Sequence, residues 1–259
     1  MLSLFRSECY QIRKTLAVKI LFLFIIVISI FFGIRETSES YVTEVNENGW
    51  PDLAYGGGNL LSSMEDYSLV ILLASLLAAW IISSAFETRT IQEAVCYGKG
   101  RTKVYIVKMA VYMIVSLLMC LVLWAGESIF VFIKNGIGTE EVVHNLSRWD
   151  YIAGMVFAAS LAYTSLFAIC GVIAFIIQKA SITMGVCIIG IAFGFKMVTS
   201  ILPESLENII NYTPAGLCYQ VLKLDVTFSD IIRTSCISVI WIIVICAAGL
   251  WKFRKAELK

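Results

Sequence analysis

The sequence predicts an all-α membrane protein with six transmembrane helices. Apolar residues make up 59% of the 259 positions, charged residues make up 15%, and the mean hydropathy is +0.84. Soluble domains are nearer half apolar and a quarter charged. The charges gather in a few clusters, and the uncharged runs between them reach the ~20 residues that a helix needs to cross a bilayer. This pattern excludes an ordinary soluble domain.

Six apolar runs define the predicted spans. The third run is too long for one perpendicular crossing, so it must tilt, protrude from the membrane or break near Gly126. The fourth and fifth runs are joined by only a few residues around Gln178 and Lys179. In chain order the runs are Leu16–Ile34, Tyr67–Phe86, Val104–Ile133, Tyr151–Ile177, Ser181–Leu202 and Ile231–Trp251.

The distribution of lysine and arginine predicts that both termini are cytoplasmic. Basic side chains are enriched in the cytoplasmic loops of membrane proteins. The two terminal segments and the loops after the second and fourth spans carry 13 of them, whereas the alternate loops carry 5. The protein is therefore expected to cross the membrane several times with the N-terminal segment inside.

Residues 1–15 predict a helix that lies on the inner surface of the membrane. Apolar residues recur there every three or four positions, and the basic residues lie elsewhere on the helix. The alternative is a plain cytoplasmic extension of the first span. The apolar stripe consists of Leu2, Phe5, Cys9, Ile12 and Leu16.

The loop of residues 87–103, between the second and third spans, predicts a short helix. Thr90-Ile91-Gln92-Glu93 fits a capping box, in which the Thr hydroxyl and the Glu carboxylate satisfy free amides of the first turn. Gly98 supplies a stop signal. So short a helix is unstable alone. It is therefore either an ordinary solvated loop helix or a helix that docks on something, with Ile91 and Val95 on one face.

The motifs that support common enzyme chemistry are missing from the sequence. Gly98-Lys99-Gly100 lacks the spacing of a nucleotide-binding phosphate loop, and neither H-E-x-x-H nor G-x-S-x-G occurs. The eight cysteines lack metal-ligand spacing, and the one histidine, His144, lies in an outer loop. The net charge of +1 does not suggest nucleic acid. We therefore predict no catalytic, cofactor-binding or metal-binding residues, and any work done would draw its energy from a partner.

The stretch RTIQEAVCYGKGRTKVYIVK resembles the coupling-helix region of type-2 ABC-transporter permeases. In that family an acidic residue ends the second span, and a Thr-Ile-like start, a short helix, a Gly, a Gly/Ser-Arg-Thr group and a Lys follow. The resemblance is greatest to the small permeases of Gram-positive bacteria that handle bacteriocins, lantibiotics and peptide antibiotics. Arg89 stands where the family often has Gly or Lys. The matching positions are Glu87, Thr90-Ile91, Gly98, Gly100-Arg101-Thr102 and Lys108.

The wider architecture also resembles this family. Its members have an amphipathic helix before the first of six spans, both ends inside, and an outer re-entrant element with two prolines before the last span. This chain has Leu202-Pro203 and Thr213-Pro214 in its outer segment, residues 203–230. The resemblance therefore treats residues 1–259 as one transmembrane domain in a bacterial plasma membrane.

The resemblance implies a mechanism and a set of contact residues. Separate cytoplasmic ATPase subunits would bind ATP and Mg, dock on the coupling helix and drive two permease chains, identical or homologous, between inward and outward states. This chain would not itself be an enzyme. The residues expected to contact the ATPase are Thr90, Ile91, Glu93, Ala94, Val95, Gly98 and Arg101.

Charged and small residues inside the predicted spans suggest two further sites. Glu127 and Lys196 are expected at similar depth near the outer surface, where they either pair, line a translocation path or reach interfacial water independently. Gly190 and Gly194 form a small-xxx-small pattern that lets helices approach closely, within this chain or between two permease chains.

The expected function is export of a peptide-like or amphipathic compound across or out of the plasma membrane, or immunity by expulsion of that compound. The alternative is a membrane-embedded capture or sensor subunit of a different transport system. The coupling-helix pattern and the outer prolines favour the exporter.

Overall fold

The computed structural model describes residues 2–38, 64, 67–135, 148–193, 210–221 and 228–255. Every regular element within these ranges is helical, which confirms the predicted all-α fold for this part of the chain. The helices, in chain order, are α1 (Leu2–Lys14), α2 (Leu16–Ser38), α3 (Tyr67–Ala78), α4 (Ser84–Glu87), α5 (Thr90–Cys96), α6 (Arg101–Asn135), α7 (Arg148–Ile177), α8 (Ala180–Cys187), α9 (Pro214–Val221) and α10 (Phe228–Lys255).

Five helical segments within the described ranges are long and apolar enough to cross a membrane, consistent with a multi-pass membrane protein. They match the first, second, third, fourth and sixth predicted spans. The fifth predicted span is helical from Ala180, through α8 and a π-helical turn at Ile188–Phe193. Its remaining residues, 194–202, lie outside the described part of the chain.

The second span contains a π-helical turn that the sequence did not reveal. Residues Ala79–Ser83 join α3 to α4 without a break, and the amide of Ser84 bonds to the carbonyl of Ala79, five residues back. The hydroxyl of Ser83 lies 2.9 Å from that of Thr183 in α8, and both are buried. This contact joins the second and fifth predicted spans at the π-helical turn. Turns of this kind often accompany functional positions.

The third span is one continuous helix. Helix α6 runs without interruption through Gly126, so it does not break there. Gly126 instead lies directly against the side chain of Ser29 in α2, where a Cβ atom would collide. Gly33 makes a similarly close approach to the backbone of Glu127. These glycines let α2 pack tightly along α6.

Four aromatic rings join the helix ends at one end of the bundle. Phe86 of α4, Tyr105 of α6, Phe175 of α7 and Phe253 of α10 have ring centroids 4.6–6.2 Å apart in five contacts. The Tyr105 hydroxyl also donates to the carbonyl of Cys246, at 3.1 Å. Such a cluster buries large apolar surfaces in specific geometry. It therefore fixes four helix ends next to α5.

Helix α1 packs on the bundle with part of the predicted stripe. Leu4 is buried, and Phe5 and Ile12 are half-buried against the core, whereas Cys9 and Leu16 are exposed. Phe5 and Ile12 of the predicted stripe therefore face the bundle together with Leu4. Glu8, on the same side, bonds to Lys108 of α6.

Candidate functional site

Helix α5 begins differently from the predicted capping box. The carbonyl of Arg89 accepts the first intrahelical bond, from the amide of Glu93 at 3.0 Å, so the helix starts one residue earlier than expected. Arg89 has a left-handed φ of 57°, and no side chain caps the helix. The hydroxyl of Thr90 instead donates to the carbonyl of Ala85, at 3.0 Å. The predicted capping roles of Thr90 and Glu93 are therefore wrong, and Thr90 ties α5 back to the second span.

The end of α5 follows the expected stop signal. Gly98 has a left-handed φ of 80°, which glycine adopts without steric strain. Its amide bonds to the carbonyl of Val95 at 3.0 Å, and the amide of Lys99 bonds to that of Ala94 at 3.2 Å. This pair of bonds is a Schellman motif, which satisfies the last free carbonyls of the helix.

The apolar face of α5 is buried within the chain itself. Ile91 is 0% exposed and belongs to the main core, and Ala94 and Val95 are half-buried against it. The side chain of Ile91 is therefore not available to a partner, and its predicted place among the contact residues must be corrected. The sequence showed that Ile91 and Val95 share a face, but it could not show that the chain's own helices cover that face.

The opposite face of α5 is open. Glu93 and Cys96 are exposed, and Tyr97 is 84% exposed directly after the last turn. The turn that follows, Gly98 to Gly100, is also exposed, whereas Arg101 is half-buried at the start of α6. Sequence reasoning missed Cys96 and Tyr97. A helical projection contained the signal, because Glu93 and Tyr97 lie four residues apart, away from Ile91.

Glu87 links the second span to the fifth predicted span. Its Oε1 accepts a hydrogen bond from the backbone amide of Ala180, at 2.9 Å. Ala180 is the first residue of α8, and Lys179 before it is extended and makes no side-chain cap. A carboxylate at a helix N-terminus accepts a hydrogen bond from a free amide, and its negative charge interacts favourably with the helix dipole. Glu87 thus caps α8 across 93 residues of sequence.

Glu8 and Lys108 form an ion pair between α1 and α6. Lys108 Nζ lies 2.8 Å from Glu8 Oε2, and the two side chains are 4% and 13% exposed. The sequence singled out Lys108 only as one of the positions that match the family pattern. The pair is inaccessible to local sequence reasoning, because 100 residues separate its members.

The charged and small residues predicted inside the spans are only partly described. Glu127 is buried, and it lies about 40 Å along α6 from the first residue of that helix. Lys196 lies outside the described residues. Gly194 does too. Gly190 is exposed, and a Cβ atom there would meet nothing within 4 Å. The side of Gly190 is therefore open among the described residues, and close helix packing at Gly190 and Gly194, within this chain or with a second chain, stays a prediction.

The described part of the outer segment, residues 210–221, contains one capped helix. Thr213 precedes Pro214, and its hydroxyl accepts the amide of Gly216 at 3.2 Å, so α9 begins with a side-chain cap. Leu217 and Cys218 are buried, and α9 packs on α7 and α10. Ile210, before the turn, is half-buried.

One bond sets the depth of this segment. Trp241 Nε1 donates to the carbonyl of Tyr212, at 2.8 Å. Trp241 is at the midpoint of α10, about 20 Å from either end. The turn before α9 therefore lies level with the middle of a helix long enough to cross the membrane.

Comparison with known proteins gives no family assignment: no protein-family model matches the chain, and no curated protein matches it.

Proposed function

We propose that this chain is the transmembrane permease subunit of an ATP-driven ABC exporter that moves a peptide-like or amphipathic substrate. A separate ATPase subunit would supply the energy and bind the ATP and Mg. The observation that carries this proposal is the mounting of α5. It is a two-turn helix at one end of the bundle, with one face fixed in the core and the other open.

The ends and the buried face of α5 make it a rigid attachment point. Ile91 is fully buried, Thr90 bonds to Ala85 of the second span, and the Schellman motif closes the far end at Gly98. A push on the exposed face would therefore move the whole helix with its supports. The proposed contact surface for an ATPase is the exposed set Glu93, Cys96, Tyr97 and Lys99. Ala94, Val95, Gly98 and Arg101 would support it from behind or at its edge.

The contacts around α5 would carry such a push into several helices. Phe86 and Tyr105, on either side of α5, share an aromatic cluster with α7 and α10. Glu87 bonds to the first residue of α8. Lys108 bonds to Glu8 of α1. A displacement at α5 would therefore reach α1, α6, α7, α8 and α10.

The outer segment would form the exit of the proposed path. Its turn at Tyr212 lies level with the middle of α10, which fits a re-entrant element that enters the membrane without crossing it. In this proposal Glu127 and Lys196 lie along the path near the outer surface. The open side of Gly190, together with Gly194, would contact a second permease chain.

Site-specific photo-crosslinking tests the ATPase contact. A photoreactive residue replaces Tyr97 in a tagged full-length chain expressed in its native host membranes. The expected product is a single adduct with an ATP-hydrolysing protein that co-purifies in equal stoichiometry. The same residue at Ile133, 78% exposed at the other end of α6, is the matched control and should give no such adduct.

The outcome separates the two functions considered. If Tyr97 gives no adduct with an ATPase while the chain is folded and membrane-inserted, the coupling assignment is wrong. A capture or sensor subunit would then be the better hypothesis. Its expected signature is saturable binding of a small molecule by the purified chain alone.

A further inference from the structure

A cavity of about 410 Å³ lies between α1, the end of the second span and α6. It is at the end of the bundle that carries α5 and the aromatic cluster. Lipid headgroups lie at this level of a membrane protein, beside the ends of the crossing helices. Small-molecule sites in proteins have volumes of ~300–1,000 Å³. The cavity is therefore large enough for a ligand, and its position favours a membrane lipid.

The lining of the cavity is amphipathic. Val18, Trp80 and Ile81 form an apolar wall that continues into the membrane-crossing helices α2 and α3. Polar side chains from α1, the end of the second span and the start of α5 complete the lining. Tryptophan is enriched where apolar chains meet headgroups. An amphipathic ligand with an acyl chain toward Trp80 would match both the apolar and the polar residues of this lining.

Four hydroxyl groups in the lining offer hydrogen-bond acceptors, because their hydrogens are already bonded to backbone carbonyls. The hydroxyl of Thr88 donates to the carbonyl of Ser84 at 2.9 Å, and that of Thr15 donates to Gln11 at 2.8 Å. The hydroxyls of Ser84 and Thr90 likewise donate to backbone carbonyls, of Trp80 and Ala85. Each hydroxyl has one hydrogen, so only its oxygen lone pairs remain free. These four oxygens fit a ligand with N–H donors, such as a primary ammonium.

The charged side chains add a preference for phosphate. Glu8 is bonded to Lys108, so this pair is neutral overall. Lys14 remains on the exposed rim, with its Nζ 5.0 Å from the ring centroid of Tyr10. The three charges of the lining therefore leave an excess of one positive charge. A ligand with both an ammonium and a phosphate matches the acceptors and the lysine together.

We propose that this cavity binds the headgroup of a zwitterionic phospholipid with a primary ammonium, the chemistry of phosphatidylethanolamine. The ammonium donates to the oxygens of Ser84 and Thr88. The phosphate lies near Lys14 on the rim, and an acyl chain follows Trp80 and Ile81. This site is independent of the proposed transport function, because no ATPase contact enters its argument.

Native mass spectrometry of the full-length chain tests the proposal. The detergent-purified protein is exposed to an equal mixture of phosphatidylethanolamine, phosphatidylglycerol and phosphatidylcholine with the same acyl chains. One phosphatidylethanolamine should be retained about fivefold over phosphatidylcholine, the equivalent of one net hydrogen bond of about 1 kcal/mol. Phosphatidylcholine is the matched ligand, because its quaternary ammonium has no N–H. Equal retention of the two, preference for phosphatidylglycerol, or no retained lipid would overturn the proposal.

Variants assign the preference to this cavity. Ser84→Ala with Thr88→Val should abolish the fivefold preference, whereas Thr102→Val, outside the cavity, should keep it. Lys14→Gln, on the exposed rim, should weaken retention of all three lipids, since each carries a phosphate. This second variant keeps the test decisive if the double variant fails to fold. A preference that survives Ser84→Ala/Thr88→Val, or unchanged retention in Lys14→Gln, would place the lipid elsewhere.

A soluble competitor distinguishes a lipid from a free headgroup. Glycerophosphoethanolamine has the same ammonium and phosphate but lacks the acyl chains. The apolar wall predicts that it displaces the bound lipid at least tenfold less effectively than fresh phosphatidylethanolamine. Equal displacement would mean that the site recognises a soluble metabolite, and it would overturn the membrane assignment.

Discussion

The carboxylate of Glu87 caps the helix that begins at Ala180, with 2.9 Å between Oε1 and the backbone nitrogen. This bond ties the end of the second span to the start of the fifth predicted span. The two helices also meet at Ser83 and Thr183, one turn or so further into the bundle. The second and fifth predicted spans are therefore joined by two polar contacts, at the end of the bundle where α5 lies.

Removing the Glu87 cap should destabilise the chain modestly. Glu87→Ala is expected to lower the free energy of unfolding by ~1 kcal/mol, the usual effect of losing a helix cap. For a chain of this size that corresponds to a decrease in Tm of about 2–4 °C, measured by thermal unfolding in detergent. Glu87→Gln is the matched control, because its amide oxygen still accepts a hydrogen bond, and it should lose less. Equal losses in the two variants would mean that charge alone matters.

Replacing Ile91 should damage the chain's own fold rather than a partner contact alone. Ile91→Asp places a charge at a fully buried position and should destabilise the protein by more than ~3 kcal/mol. Tyr97→Asp, on the exposed face, should leave Tm unchanged and reduce only the proposed substrate-stimulated ATPase activity. The two measurements are Tm and ATP hydrolysis in reconstituted vesicles. A fully stable Ile91→Asp chain would contradict the burial of this side chain.

Breaking the Glu8–Lys108 pair should be costly and reversible by a charge swap. Glu8→Ala leaves a buried lysine without its carboxylate and is expected to destabilise by about 3 kcal/mol. The exchange of both residues, Glu8→Lys with Lys108→Glu, should recover more than half of that loss. Asp230→Asn is the control, because the exposed pair of Asp230 and Arg233 should contribute less than ~1 kcal/mol. An uncompensated double exchange would show that the pair itself is not what orients α1.

A methyl group at Gly216 should disturb the outer segment. A Cβ atom there would collide with the backbone carbonyl of Ile210, which cannot move aside like a flexible side chain. Gly216→Ala is therefore expected to destabilise by ~1–3 kcal/mol, as overpacking does. Gly185→Ala in α8 meets nothing within 4 Å and should be neutral or stabilising. Chemical unfolding in mixed micelles measures both, and equal effects would contradict the close approach at Gly216.

Cysteine accessibility tests the orientation predicted from the basic residues. In a chain with Cys9→Ser and Cys96→Ser, the variant Gly100→Cys should react with a membrane-impermeant maleimide only from the cytoplasmic side. Glu44→Cys and Glu140→Cys should react only from outside. The segments assigned to the cytoplasm carry 13 basic residues, and the loops assigned to the outside carry 5. Basic residues are enriched on the cytoplasmic side of membrane proteins. Labelling of Gly100→Cys from outside alone would reverse the orientation.

The spans could be predicted because burial in a membrane demands long apolar runs. Five of the six predicted runs match helices of sufficient length and hydropathy. The end of α5 could also be predicted from the sequence. Gly98 has a left-handed backbone conformation, and that conformation favours glycine. Both signals are local: they depend on residues that are close together in the sequence.

The rest depended on contacts between distant parts of the chain. Ile91 has the same place in the pattern whether it meets a partner or its own bundle, so its burial could not be predicted. The bond between Glu8 and Lys108 joins residues 100 positions apart, so no local pattern in α1 indicated it. The π-helical turn at Ala79–Ser83 leaves no distinctive mark in a uniformly apolar run.

The π-helical turn at Ala79–Ser83 gives the second span one residue that can shift along the helix. A π-helical turn contains one residue more than the α-helical turn it replaces. If the extra residue passes along the helix, the stretch between its old and new positions advances by about 1.5 Å and rotates by about 100°. The helix moves like a screw and keeps its hydrogen-bonded ladder. The fifth predicted span also contains a π-helical turn, at Ile188–Phe193. Both of the helices that meet at Ser83 and Thr183 can therefore change register while they remain helical.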